Sequence, residues 1–379
     1  MFKSLGLRFL LVCVLLLAVE VAFRAGVWHR FVAPQSHAGT TLRALSAWSA
    51  EGDAKVDTVT LGSSRPEYAL DHIALAALAQ KHGQRHLSFA MPGAHMLTID
   101  TLTSWLRQNR PEVKNRIVAL SVLDFTWATN GEYELGIVAP MHASIDVDRL
   151  QQRLPLTADS KSWGSVSALW RYRQDIRDAV FAPKQRLQAI KNPSVFNRSR
   201  NTQVANNVCQ IDTATIASCA QQTPTGVVLN HGEVAAKQLC TGWAAQFGQA
   251  KGGDVSAVPR MPEVLLAQKL VRASLSREAW PGKTIVVLLP THHLWMQPPM
   301  TTGQHALTLE VLQPLVDRSE ITLIDATTVL DSPITSSADG AATLKSDCAN
   351  FGDLFHQNDV GREGLMAWFL PRLERALYP

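Results

Sequence analysis

Two short stretches at opposite ends of the chain carry the residue types from which a nucleophilic site is built. Gly62-Ser63-Ser64-Arg65 follows the β-branched run Val56-Asp57-Thr58-Val59-Thr60-Leu61, and Asp353-Leu354-Phe355-His356 precedes Asn358 and Gly361 near the C-terminus. A serine hydroxyl is a weak nucleophile until a base removes its proton during attack. His356 is expected to be that base, and Asp353 to hold the imidazole tautomer and stabilise the imidazolium. At positions i and i+3 of a turn or helix start, the two side chains share one face. Ser64 is the expected nucleophile, with Ser63 as the alternative. The bland role for a serine at this point is a helix N-cap.

The same chemistry needs donors for a developing oxyanion. Ser64 should sit where a strand enters a helix, so its own N–H is available. Gly93, after Pro92, has no side chain to shield its N–H and is a second candidate. Arg65 follows the nucleophile and can face an anionic substrate, with a solvated arginine as the default role. Asp124 ends a third apolar run and is a candidate for the site, with a strand-end cap as the default role; His292 or the adjacent His293, after a fourth run, is a candidate for the cleft. Trp163, Trp170 and Trp295 are candidate sugar-stacking platforms, with core packing as the default role.

Positioning such groups requires strands that end together. Short apolar runs at Val56–Leu61, His86–Met91, Arg116–Leu123, Thr284–Leu289 and Ile321–Ile324 read as strands. Helical periodicity is expected at Thr41–Ala50, Pro66–His82, Ile99–Gln108, Ser167–Phe181 and Gly361–Leu377, the last with a kink at Pro371. Strands alternating with helices predict an α/β fold, with a parallel sheet covered on both faces. Catalytic groups of such sheets gather at the carboxyl ends of the strands. Ser64, Gly93, Asp124 and His292 all fall at those ends.

From about 126 to 282 the spacing is too long for a simple crossover. This mostly helical insertion, within a domain spanning 31–379, is expected to form a lid or a docking surface. Residues 1–30 are a segment of different character. Phe9 to Val19 is continuously apolar behind Lys3 and Arg8, which places the N-terminus on the cytoplasmic side. The run suits an uncleaved anchor or a cleaved signal peptide. Phe23 and Arg24, standing where small residues would be needed, favour the anchor.

Export fits the cysteines. Beyond Cys13, the chain has Cys209, Cys219, Cys240 and Cys348. Either they form two disulfides, with Cys209–Cys219 and Cys240–Cys348 as one arrangement, or they stay unpaired. None has metal-site spacing, and no metal or cofactor is expected. Over 379 residues, 46% are hydrophobic and 18% charged, with a net charge of +4. That composition fits a packed core and excludes a disordered chain. With no Lys/Arg-rich block, nucleic acid is not an expected partner.

Gly62-Ser63-Ser64-Arg65, Gly93 and Asp353-x-x-His356 resemble blocks I, II and V of the SGNH (GDSL-like) hydrolase superfamily, over roughly residues 55–125 and 283–379. The resemblance implies a three-layer α/β/α fold with a flavodoxin-like parallel sheet and a Ser64, Asp353, His356 triad. The anchored start is similar to exported cell-envelope members. It implies a bacterial inner-membrane protein, single-pass with its domain in the periplasm, or secreted if the anchor is cut. The implied activity is that of a serine esterase or O-acyltransferase. Its partners would be an acylated polysaccharide or other envelope polymer, and an envelope biosynthesis complex. One departure stands out. The family's block III carries an Asn donor in a Gly-x-Asn-Asp pattern, whereas Ser121-Val122-Leu123-Asp124 puts Leu123 at that position. The competing expectations are a catalytically inactive scaffold that binds polymer and a lipid-directed esterase.

Overall fold

A computed structural model of the chain describes residues 2–34, 36–50, 56–125, 131–144, 166–191, 262–291, 304–330, 350–351 and 356–379. The chain divides into two compact units. One comprises Met1–Ala54, Asp100–Arg110 and Asn130–Arg198, and the other Lys55–Ile99, Pro111–Thr129 and Ser199–Pro379.

The second unit is built on five strands: β1 (Thr58–Gly62), β2 (His86–Ala90), β3 (Asn115–Leu120), β4 (Lys283–Leu288) and β5 (Thr322–Asp325). All pairings are parallel and the order is β2-β1-β3-β4-β5. The fold class is therefore α/β, as the alternation predicts. In this order the succession of strands reverses between β1 and β3, the place beyond whose carboxyl ends such sheets bind their ligands. Alternate residues point to opposite faces. Ile117, Ala119, Ile285, Val287 and Ile324 meet one helical layer, while Val118, Leu120, Val286 and Leu288 are buried on the other face. Burial on both faces explains why these strands read as unbroken apolar runs rather than alternating ones.

Several helices cover this sheet. The expected helix over 66–82 is two helices, Ser64–Ala69 and His72–Lys81. The break is at Asp71, whose carboxylate accepts hydrogen bonds from Ile73 N and Ala74 N and so caps the second helix. The third strand ends earlier than expected because Val122–Phe125 turns into a 3-10 helix. The last helix runs unbroken from Asp359 to Leu377, with Pro371 inside it. Its Leu365, Phe369, Leu373 and Leu377, spaced by four, pack on the sheet beside Leu70 and Leu75. Lys283 Nζ donates to Ala376 O at 2.8 Å, which ties the end of this helix to the start of β4.

The first unit is helical. In Phe2–Arg24 (α1) the stretch Gly6–Arg24 is long and apolar enough to cross a membrane, and residues Gly6 to Ala18 are exposed. Beyond it lie a 3-10 turn at Val27–Phe31 and the helices His37–Ala50, Gly131–Val138, Ala168–Arg171, Arg173–Phe181 and Pro183–Lys191. The helix expected over 167–181 is thus two pieces, the first capped by Ser167 Oγ on Trp170 N. The early part of the expected insertion, to Arg198, groups with the N-terminal segment.

Phe23 stacks on Trp28, with ring centroids 5.0 Å apart, and tilts against Tyr172 at 5.6 Å. Thr41 Oγ1 donates to Ile137 O at 2.8 Å, joining two helices of this unit. All four cysteines of the expected disulfides lie outside the described residues.

Candidate active site

The carboxyl ends of β1, β2 and β3 carry the residues that chemistry would need. β1 runs into the Ser64–Ala69 helix with almost no turn, and that requires glycine at its end. A Cβ on Gly62 would stand 2.4 Å from Pro66 Cγ and 2.7 Å from Ala119 O. Ser63 is the N-cap, and its hydroxyl accepts from Arg65 N at 3.3 Å. The adjacent serines thereby divide their roles: Ser63 takes the capping role, and Ser64 presents its hydroxyl elsewhere.

That hydroxyl meets His356. Ser64 Oγ and His356 Nε2 are 2.8 Å apart, across 292 positions of sequence. The residues just after His356 hold it in place. Phe351 and Gln357 form an antiparallel bridge, and the Gln357 side-chain amide donates to Pro290 O at 2.8 Å. Asn358 caps the last helix by accepting from Gly361 N at 2.9 Å. Gly361 must be glycine, since a Cβ there would lie 2.0 Å from Asn350 O. The Asn and Gly after Asp353-x-x-His356 thus serve to launch this helix two residues beyond the imidazole. The helix itself packs against the one that starts at Ser64. Tyr68, one turn along from Ser64, lays its ring 4.7 Å from that of His356. The i, i+4 spacing from Ser64 was the sequence signal for this contact.

The other expected residues take several different places. Gly93 lies just past the end of β2, whose Ala90 pairs with Gly62, and adopts a φ of 80°, a conformation glycine accepts without strain. Arg65, a candidate for substrate contact or for a solvated surface, and Asp124, a candidate for the cleft or for a strand-end cap, meet each other. Arg65 Nη1 donates to Asp124 Oδ1 at 2.9 Å, and both side chains are almost fully buried. Asp124 Oδ2 accepts from Ser121 N at 2.6 Å, which closes the turn after β3. His95, not anticipated from the sequence, brings Nδ1 to 3.8 Å from Asp124 Oδ1. Asp353, His292, Trp163 and Trp295 lie outside the described residues. Trp170 is in the helical unit, with the Arg173 guanidinium over its ring at 5.4 Å from the centroid.

A second histidine–carboxylate pair stands at the end of β5, where His305 Nε2 and Asp325 Oδ2 are 2.6 Å apart. Burial raises the Asp325 carboxyl, but hydrogen bonds from Thr327 and His305 outweigh it and hold the group below the usual carboxylate range. The two residues are twenty apart in sequence and carry no shared motif, so only folding reveals them. Among the described residues, no group of three or more His, Cys, Asp or Glu side chains is arranged to hold a metal ion.

Chemically, a hydroxyl within hydrogen-bond reach of an imidazole nitrogen can be deprotonated as it attacks an electrophilic carbon. For Nε2 to accept that proton, Nδ1 must carry the other one. Ser64 N is the first N–H of its helix and has no acceptor within it, whereas Arg65 N is taken by Ser63. Compared with protein-family models and with curated proteins, the chain matches none.

Proposed function

We propose that the chain is an exported, membrane-anchored serine esterase or O-acyltransferase of the SGNH type, working through an acyl-Ser64 intermediate. The observation that supports this most directly is the 2.8 Å approach of Ser64 Oγ to His356 Nε2 at the carboxyl edge of a parallel sheet. In this reading, His356 takes the Ser64 proton while Oγ bonds to the acyl carbonyl carbon. Collapse of the tetrahedral intermediate breaks the ester C–O bond, and the departing alcohol leaves with the proton held on Nε2. The acceptor, water or a sugar hydroxyl, then gives its proton to His356 as it attacks the acyl-serine, and Ser64 is released with its proton restored. Ser64 N–H and Gly93 N–H are the donors proposed for the oxyanion. Asp353 is the proposed partner of Nδ1.

The substrate proposed is a short acyl ester, acetyl above all, on an envelope or secreted polysaccharide, with the domain in the periplasm. α1 supports the anchor, being long and apolar enough to span. Arg65 is assigned a positioning role: its pairing with Asp124 joins the start of the Ser64 helix to the turn after β3. No Asn donor stands in that turn, and this favours a second reading, a silent polymer-binding scaffold.

A fluorophosphonate reagent separates the two. The enzyme reading expects covalent labelling of the full chain that disappears in Ser64→Ala and survives in Ser63→Ala. A folded wild type that takes no label overturns the enzyme reading and leaves the scaffold, which binding to a soluble envelope polysaccharide then tests.

A further inference from the structure

One side of the last turns of α1 is covered by protein, while Val21 on the other stays exposed. Val19 and Phe23 pack with Leu169, Tyr172 and Ile176. Glu20 accepts from Ser167 Oγ at 2.9 Å, Ala168 N at 2.7 Å and Leu169 N at 3.0 Å. Its negative charge thereby neutralises the N-terminus of a short helix far away in sequence. The part of α1 that stands exposed, Gly6 to Ala18, is about 20 Å long at ~1.5 Å per residue. A hydrocarbon core is about 30 Å thick. A helix this short reaches across only if the protein around residues 19–24 descends to the headgroups.

The surface of that protein fits such a position. Beyond α1, eight large apolar side chains are exposed among the described residues, and five of them are Val27, Phe31, Val180, Phe181 and Leu187. These five sit on three segments knitted to the end of α1. Asp175 accepts from Trp28 Nε1 at 2.7 Å and Ala33 N at 3.2 Å. Arg186 bonds Asp175 and the Phe31 carbonyl, and its guanidinium lies over the Trp28 ring. Exposed Arg30, Lys184 and Lys191 are interspersed among the apolar residues. Apolar side chains with interleaved cations, held beside a spanning helix, match the interface of a bilayer with anionic headgroups.

We propose that this membrane-proximal unit lies in the headgroup layer of the bilayer that holds α1, through Val27, Phe31, Val180, Phe181 and Leu187, with Arg30, Lys184 and Lys191 meeting lipid phosphates. The inference rests on the anchored reading of the function and adds a second, interfacial attachment to it.

The test uses the full chain in vesicles of phosphatidylethanolamine and phosphatidylglycerol, 3:1 as prepared. A photoreactive residue is introduced singly, as Phe181→benzoylphenylalanine, Leu187→benzoylphenylalanine, Leu11→benzoylphenylalanine or Ile73→benzoylphenylalanine. Ile73 is 77% exposed on the sheet unit and Phe181 is 82% exposed, so exposure alone does not separate them. The expected result is lipid adduct at 181 and 187 at least tenfold above that at 73, falling when phosphatidylglycerol is replaced by phosphatidylcholine. Adduct at 11 without adduct at 181 and 187, or cross-links from 181 to another protein, overturns the interfacial contact alone. No lipid adduct at 11 or 181 removes the anchored reading beneath it. Yields indifferent to headgroup charge overturn the role of the three cations.

Discussion

Two buried arginine–aspartate pairs, one in each unit, use the same chemistry for different ends. Arg65–Asp124 joins positions 59 apart at the edge of the sheet, and the second oxygen of Asp124 goes to Ser121 N in the turn after β3. Arg186–Asp175 joins positions only 11 apart, but Asp175 also collects Trp28 and Ala33, over 140 positions away. The first pair sits beside the hydroxyl that meets His356. The second holds helices to the segment leaving α1. A buried ion pair adds little net stability compared with apolar packing, but losing one partner strands the other charge. Its value therefore lies in what the remaining hydrogen bonds fix: the turn beside Ser64 in one unit and an attachment in the other.

The comparison breaks if changes in one unit carry into the other. The largest effect is expected at the site itself. His356→Asn should lower the fluorophosphonate labelling rate at least about a thousandfold, because nucleophile and base act as one unit. Trypsin fragments of the helical unit should be unchanged. Asp175→Ala strands Arg186 and frees Trp28 and Ala33, so it should destabilise the helical unit by about 3–5 kcal/mol. Urea-dependent pulse proteolysis in detergent reads this loss. Ser64 labelling in native buffer should hold, and a parallel fall in labelling would show that the second pair also supports the site.

Asp124→Asn keeps an acceptor and loses the charge, so it should cost about 1.5–3 kcal/mol in the sheet unit. It should also slow labelling, whereas Asp175→Asn should not. The smallest effect, taken over a single pH unit, is that of acid. Burial, with neighbouring His72 adding, pushes the His86 imidazole down to about 3 from 6.5. Between those values the unfolded chain binds a proton that the folded chain refuses. Stability from this group is full above pH 6.5 and falls as pH drops, by about 1.4 kcal/mol per unit. His86→Gln should flatten the acid limb of the sheet unit's urea midpoint.

Much of the sheet was legible because its strands are buried on both faces and read as continuous apolar runs between turns. Boundaries shifted where local capping intervened: Asp71 split one expected helix, and the 3-10 turn at Val122–Phe125 shortened β3. In the site, Ser64, His356 and the launching pair Asn358 and Gly361 were legible because turn chemistry and helix capping leave marks at fixed offsets. The partnership of Arg65 with Asp124 left no mark, since nothing in the spacing says which buried charge will face which. His95 and the His305–Asp325 pair were missed for the same reason.

The amino-acid order alone determined the strands, the apolar N-terminal helix and the two serines at the first strand's end, since each rests on neighbours within a turn or two. Only the tertiary structure decided which serine caps and which meets His356, where the Arg65 charge goes, and that residues 131–191 join the N-terminal segment. Those outcomes depend on contacts between distant segments. Such contacts are selected by packing and by the cost of leaving a buried charge unmatched, and neither has a period or a spacing along the chain.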